Sequence, residues 1–361
     1  MMIKNLLKIL SYNLAFGLIA ILSIEIVFGG WFKKDNLGAY FREHRMKKVP
    51  YSIQYQGEVY DYIYLRNYHG FIGDEIDPKD IKYVFIGGST ADERWKPRKM
   101  SIIEQVNKKF KEDSIDIKII NAGIEGQSTI GYIANFKFWF PKLKEFKPKY
   151  LIFYTGINEL LRKDFNTFNY TDGYAKLVED NKKSYLKDFI KTKSIFYDLA
   201  RKTKHKYYTR EKKIFMNIDK LIKKYPENSA FTEQFNGKYY DYLNFNQALK
   251  EVDIDKIMEQ EKEFTSFYLK NIDTIATYSL KLGAKPIFIN QVTAFGGYDQ
   301  KHLVLNYALK NHCVKKKYGC IDIASSFEGK QDYWYDNVHT TPLGSKIIAD
   351  KIYLPLKQML K

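Results

Sequence analysis

Cysteine is nearly missing, with only Cys313 and Cys320 among 361 residues. That scarcity excludes a disulfide-stapled scaffold and a four-cysteine zinc or iron–sulfur site. No histidine or carboxylate grouping at metal-ligand spacing surrounds the pair, so neither a metal nor a cofactor is expected. The spacing permits one short-loop bridge in an oxidising compartment, but the preferred reading is two unpaired, partly buried thiols. Internal repeats and low-complexity tracts are also missing. Acidic side chains are in deficit: 42 Asp and Glu against 59 Lys and Arg leave a formal net charge of +17. A lysine-rich solvated surface accounts for the excess, with attraction to anionic lipid or an acidic polymer as the alternative. No nucleic-acid-binding motif accompanies the charge, so no nucleic-acid partner is expected.

Long apolar runs are scarce too, with one exception. From Ile9 to Phe32 the chain is almost continuously apolar, Glu25 is its only ionisable residue, and Lys4 and Lys8 precede it. At about 1.5 Å per residue a helix of this length spans the roughly 30 Å hydrocarbon layer of a bilayer. A retained single-pass anchor within residues 1–34 is therefore expected. A cleaved signal peptide is the rival, although Val27-Phe28-Gly29 makes a poor small-x-small cleavage site. Glu25 lies near the far end, where its carboxylate reaches the interface. Lys33, Lys34, Arg42, Arg45, Lys47 and Lys48 follow the span, and the positive-inside rule would keep the rest of the chain in the cytoplasm. Long domains often override that rule.

What is present after a polar, Tyr-rich lead-in (35–80) is an alternation of strands and helices. Tyr83-Val84-Phe85-Ile86 reads as a buried parallel strand that stops at Gly87-Gly88-Ser89-Thr90. Such a turn either presents a serine nucleophile or is a structural or phosphate-cradling strand–helix turn; no lysine follows it as a P-loop requires. A helix is expected near Met100–Phe110. A second strand (115–120) ends in Asn121-Ala122-Gly123-Ile124-Glu125-Gly126-Gln127-Ser128, and a third (150–154) ends in Thr155-Gly156-Ile157-Asn158-Glu159.

Residues 161–256 interrupt the alternation with a largely helical insertion, placed to cap the active edge. Within it, Ile214, Phe215, Ile218, Leu221, Ile222 and Tyr225 keep helical spacing up to Pro226. A helix near 257–282, a strand at 285–292, a short strand at 320–324 and a last helix opening at Thr341-Pro342 complete the pattern. His69, His302 and His312 read as structural. The whole describes a doubly wound parallel sheet, whose polar loops share one edge and converge on Ser89.

Asp336 and His339 stand three apart, a spacing that makes their side chains neighbours in a turn or first helical coil. Aspartate there can fix the imidazole tautomer and stabilise the imidazolium formed when His339 deprotonates a serine. The chain order Ser, Asp, His differs from the protease orders, and the G-x-S-x-G elbow of the α/β-hydrolases is missing.

Gly88-Ser89-Thr90, Gly126 within 121–128, Gly156-x-Asn158 and Asp336-x-x-His339 together resemble the four blocks of the SGNH (GDSL-like) hydrolase superfamily, in order, over about residues 80–355 without the insertion. The resemblance implies a three-layer α/β/α flavodoxin-like fold with a five-stranded parallel sheet in residues 81–361. It also implies Ser89 as nucleophile, His339 as general base and Asp336 as its orienting partner. The backbone N–H groups of Ser89 and Gly126 and the Asn158 amide would form the oxyanion hole, with Gly123 as the competitor for Gly126. The name-giving Gly-Asp-Ser-Leu is replaced by Gly87-Gly88-Ser89-Thr90, which leaves the triad intact. Family members with an amino-terminal anchor and this Gly-Gly-Ser-Thr form act on O-acyl groups of cell-surface glycans. The expectation is thus a membrane-anchored, extracytoplasmic serine esterase or O-acyltransferase with an acylated carbohydrate as partner. The alternative is a catalytically inactive glycan-binding or polysaccharide-assembly protein of the same fold.

Overall fold

The computed structural model describes residues 2–32, 37, 44–160, 189–191, 193–201, 203, 213–224, 246, 249–250, 252–294, 300–327 and 330–360. The amino-terminal helix α1 (Met2–Phe28) includes a stretch, Lys8–Phe28, long and apolar enough to cross a membrane, and from Lys8 to Phe28 its side chains are exposed apart from the half-buried Glu25.

A hairpin follows, β1 (Lys47–Tyr55) and β2 (Glu58–Arg66), turning on Gln56 and Gly57, which both carry positive φ. The parallel strands begin with β3 (Tyr83–Gly87), which runs into a single helical turn, α2 (Ser89–Asp92). Next come α3 (Ile102–Glu112), β4 (Ile119–Asn121), α4 (Thr129–Phe138) and β5 (Tyr150–Thr155). The insertion contributes β6 (Ile214–Asn217) and α5 (Ile218–Lys224). The chain then passes through α6 (Ile254–Gln260), α7 (Lys262–Lys281), β7 (Lys285–Asn290), α8 (Gln300–Lys316), β8 (Gly319–Ile321) and α9 (Pro342–Leu360).

Five of the strands form one all-parallel sheet in the order β4-β3-β5-β7-β8. Numbered along that sheet the order is 2-1-3-4-5, the flavodoxin-like winding, whose ligands sit beyond the carboxyl ends of the strands where the order reverses. The apolar run of β3 explains why it is central, since its side chains alternate between two cores. Phe85 joins Ile152, Ile287 and Ile321 under α3 and α9, whereas Val84 and Ile86 join Leu151, Phe153 and Phe288 under α4, α7 and α8. Helices cover both faces, which gives the three layers.

A second sheet, β2-β1-β6, pairs the lead-in hairpin with a strand from the insertion. The sequence reading had a helix from Ile214 to Tyr225, but Ile214–Asn217 is a parallel strand on β1 and only Ile218–Lys224 is helical. Isolated helices this short are marginal in water. The open edge of β1 satisfies the backbone of Ile214–Asn217 instead, and β-branched and aromatic side chains suit it. Most of the insertion, and with it the expected cap, lies outside the described residues.

Cys313 and Cys320 are joined as a disulfide, with Cα atoms 6.2 Å apart. This corrects the expectation of free thiols. At the end of α8 the Tyr318 N–H returns to the Cys313 carbonyl, and this turn brings the two positions together. Loop-closure entropy for so short a loop corresponds to about 2–3 kcal/mol. The double serine variant should unfold at correspondingly lower urea concentration, and reductant should lower the midpoint of the parent alone.

Candidate active site

The candidate residues gather where β3 and β5 end. Gly87 leaves β3 with no room for a side chain, because a Cβ would lie 2.6 Å from the Ala91 Cβ. A Cβ on Gly88 would lie 1.8 Å from Asn158 Nδ2 and 3.0 Å from the Gln127 carbonyl oxygen. Two adjacent glycines thus let the turn at Ser89, the 121–128 loop and the Asn158 amide close on one point. Gly156, at φ +136°, bends the chain out of β5 into the turn that carries Asn158.

Ser89, at the start of α2, has its Oγ 2.8 Å from His339 Nε2, and His339 Nδ1 lies 2.7 Å from Asp336 Oδ2. The other carboxylate oxygen, Oδ1, accepts the backbone N–H groups of Val338 (2.9 Å) and His339 (2.7 Å). Burial alone would raise the Asp336 pKa. The hydrogen bond and positive charge of His339, with the two backbone donors, outweigh it and hold the carboxyl below its ordinary value. Asp336 is therefore ionised at neutral pH and can orient and stabilise an imidazolium. An imidazole so held can accept the Ser89 proton.

The N–H groups of Ser89 and Gly126 have no hydrogen-bond partner among the described residues. Asn158 Nδ2 donates one hydrogen to the Gln127 carbonyl at 2.7 Å and retains a second. The competitor Gly123 is occupied: its N–H donates to Asn121 Oδ1 at 2.8 Å and its carbonyl accepts from Arg66 at 2.8 Å. Free donors beside a serine are what a tetrahedral oxyanion requires.

Several supporting residues escaped the sequence reading. The Tyr335 ring stacks on His339 at 5.7 Å with an 8° interplanar angle, and burial pushes its phenol pKa well up, so the ring against the imidazole stays neutral. Buried Lys96 donates to Glu93 Oε1 (2.9 Å), Thr340 O (2.5 Å) and Ser345 Oγ (2.6 Å), fastening the end of α2 to the His339 loop. Gln291, after β7, donates to Thr90 Oγ1 at 2.7 Å and accepts the Ile157 N–H at 2.6 Å. One buried side chain thereby links the residue after Ser89 to the residue before Asn158. No short-range signal marks it, because its partners are 201 and 134 positions away.

Gln291→Leu leaves two buried groups unpaired, each costing about 1–3 kcal/mol. It should lower kcat for p-nitrophenyl acetate at least tenfold, with KM changed less, and a purely structural role would leave kcat of the folded fraction unaltered. Of the histidines set aside as structural, His302 is fully buried, and burial pushes its pKa down to about 4, while His312 pairs with Asp273 at 2.7 Å.

No family model matches the sequence, and no curated protein matches it. Solved structures are similar in fold. Among them, TesA is 11% identical, covering 77% of this chain and 99% of that one with a TM-score of 0.41. A psychrotrophic esterase from Pseudoalteromonas sp. is 12% identical, covering 78% and 99% with a TM-score of 0.41. An acetyl xylan esterase is 13% identical, covering 76% and 98% with a TM-score of 0.40. A likeness this distant leaves the reading of the site to its own distances.

Proposed function

We propose that the chain is a membrane-anchored serine esterase or O-acyltransferase of SGNH type, which removes or transfers a small acyl group, acetyl first, on a carbohydrate hydroxyl. The observation that carries the reading is the hydrogen-bonded file Asp336–His339–Ser89, at 2.7 and 2.8 Å, beside unpartnered N–H donors. Ser89 Oγ attacks the ester carbonyl while His339 Nε2 takes its proton. The oxyanion then sits against the N–H groups of Ser89 and Gly126 and the Asn158 amide. As the carbonyl re-forms, the C–O bond to the sugar breaks and His339 returns the proton to the departing hydroxyl. Acyl-Ser89 remains. Water attacking it gives hydrolysis and a second sugar hydroxyl gives transfer; His339 serves both as base.

The carbohydrate assignment is supported by the resemblance of the four motif blocks. The half-buried Tyr62 and Trp95, packed in one cluster with the Tyr335 that stacks on His339, are the aromatic side chains beside the site to which a sugar ring could be offered. The apolar stretch Lys8–Phe28 supports a retained anchor; placing the catalytic domain outside the cytoplasmic membrane rests on the resemblance of the motif blocks, against the positive charges that follow the span.

An active-site fluorophosphonate should label the full-length protein and fail on Ser89→Ala. A protein that resists labelling and still binds polysaccharide would be the inactive relative instead. Mass spectrometry of surface glycans from cells with and without the active enzyme then separates esterase from transferase, by acyl groups lost or gained. A reporter active only in the cytoplasm, fused after Lys361, should stay silent; strong signal would overturn the placement.

A further inference from the structure

Beyond α1, a second part of the chain exposes apolar side chains beside the end of that helix. Residues 195–201 are helical, and this segment docks on the carboxyl end of α1. Glu25, the one ionisable residue of the apolar stretch, takes four donors there. Ser194 Oγ bonds Oε1 at 2.5 Å and the Phe196 N–H the same oxygen at 3.4 Å; Oε2 accepts Ile195 N–H at 3.1 Å and Trp31 Nε1 at 2.9 Å. The carboxylate thereby satisfies the first N–H groups of the helical segment, which otherwise have no partner within it. The Gly30 N–H adds a bond to the Lys193 carbonyl at 2.7 Å, and Trp31 meets Phe189 edge-on at 6.1 Å.

The outer face of this segment has the wrong polarity for water. Phe196, Leu199, Ala200 and Thr203 fall at three- and four-residue spacing and are all exposed, Leu199 by 57%, and Ile190 beside them is 47% exposed. A helix docked on a soluble domain turns its polar side outward. Here the outward stripe is apolar, and the half-buried Lys191 lies at its border with its ammonium group over Tyr197, while the buried Lys193 places its own over Phe189. An apolar stripe with a lysine at its border and an adjoining tryptophan is the composition of a helix lying in the headgroup region.

We infer that the described residues 189–191, 193–201 and 203, clamped on Glu25, form a collar that rests on the bilayer surface where α1 leaves it, with lipid as the occupant of the apolar stripe. The inference rests on α1 being a retained span. Continuity with that span, Trp31 beside the stripe and Lys191 at its border favour lipid over a second protein.

The test uses the full chain in phosphatidylcholine–phosphatidylglycerol vesicles. Single cysteines at Leu199→Cys, Leu14→Cys and Leu280→Cys carry an environment-sensitive fluorophore, the native pair being already bridged. With spin-labelled lipids whose quencher sits just below the headgroups, the Leu199 probe should lose about half its emission, as expected for a face buried about 5–10 Å. The Leu280 probe, on exposed α7, should lose none. Quenching at position 14 with none at 199 overturns the collar and leaves the anchor standing. A blue-shifted but unquenched Leu199 probe assigns the stripe to a protein surface and equally overturns it. No quenching at either position removes the anchor and the collar together.

Discussion

His339→Ala is expected to lower kcat for ester turnover by about 10⁶, and Ser89→Ala by the same order, with the double variant no worse than either. The losses do not add because in the proposed mechanism the two side chains perform one act, passing the Ser89 proton to Nε2, 2.8 Å away. Asp336→Asn should cost less, about 10⁴, because an amide can still accept the Val338 and His339 N–H groups yet holds the wrong tautomer of the ring. Residual turnover in all three comes from the oxyanion donors and substrate binding. Steady-state assays with p-nitrophenyl acetate, on protein whose circular dichroism matches the parent, measure the series. Equal and modest losses at His339 and Asp336 would contradict the roles assigned to them.

Gly88→Ala is the second large effect and the one least visible without coordinates. Alanine at 88 places a methyl 1.8 Å from Asn158 Nδ2, far inside contact distance, so the amide or the turn must move. The φ of Gly88, −83°, is no glycine-only value, so the obstruction is one of space. Displacing Asn158 removes one of the proposed oxyanion donors, and losing one such donor costs about 10²–10³ in kcat. Asn158→Ala should reach the same level, and Gly88→Ala combined with Asn158→Ala should fall little further, because the donor is already gone. Additive losses would mean that the methyl acts by moving Ser89 instead.

The legible parts of this protein were those whose partners lie close in the chain. Asp336 and His339 share one turn, and the glycine-ended strands announce where loops converge. The four-block pattern could thus be assembled from local pieces. The cysteine pair was within reach but misjudged, since its bridge depends on the turn between α8 and β8. Ile214–Asn217 was misread for a physical reason. A strand followed directly by a helix can produce the same three-and-four spacing as one helix, and only the open edge of β1 decides between them.

Gln291, Lys96 and Tyr335 were illegible in a deeper sense. Each is an unremarkable residue type in sequence and becomes specific only through partners brought in from elsewhere, such as Thr90 and Ile157 for Gln291. Glu25 is similar: the sequence marks it as an oddity in an apolar run, but not that residues 194–196 would answer it.

Hydrophobic periodicity and glycine placement, which act over a few residues, by themselves determined the parallel sheet and the edge at which its polar loops meet, and the three-residue spacing of Asp336 and His339 marked them as candidates beside Ser89. The tertiary structure alone decided which N–H groups stay free, which buried amides fasten the loops, and where the insertion attaches. Those outcomes depend on hydrogen bonds between groups more than a hundred residues apart. Such bonds carry no local pattern and exist only once the core has brought their elements together.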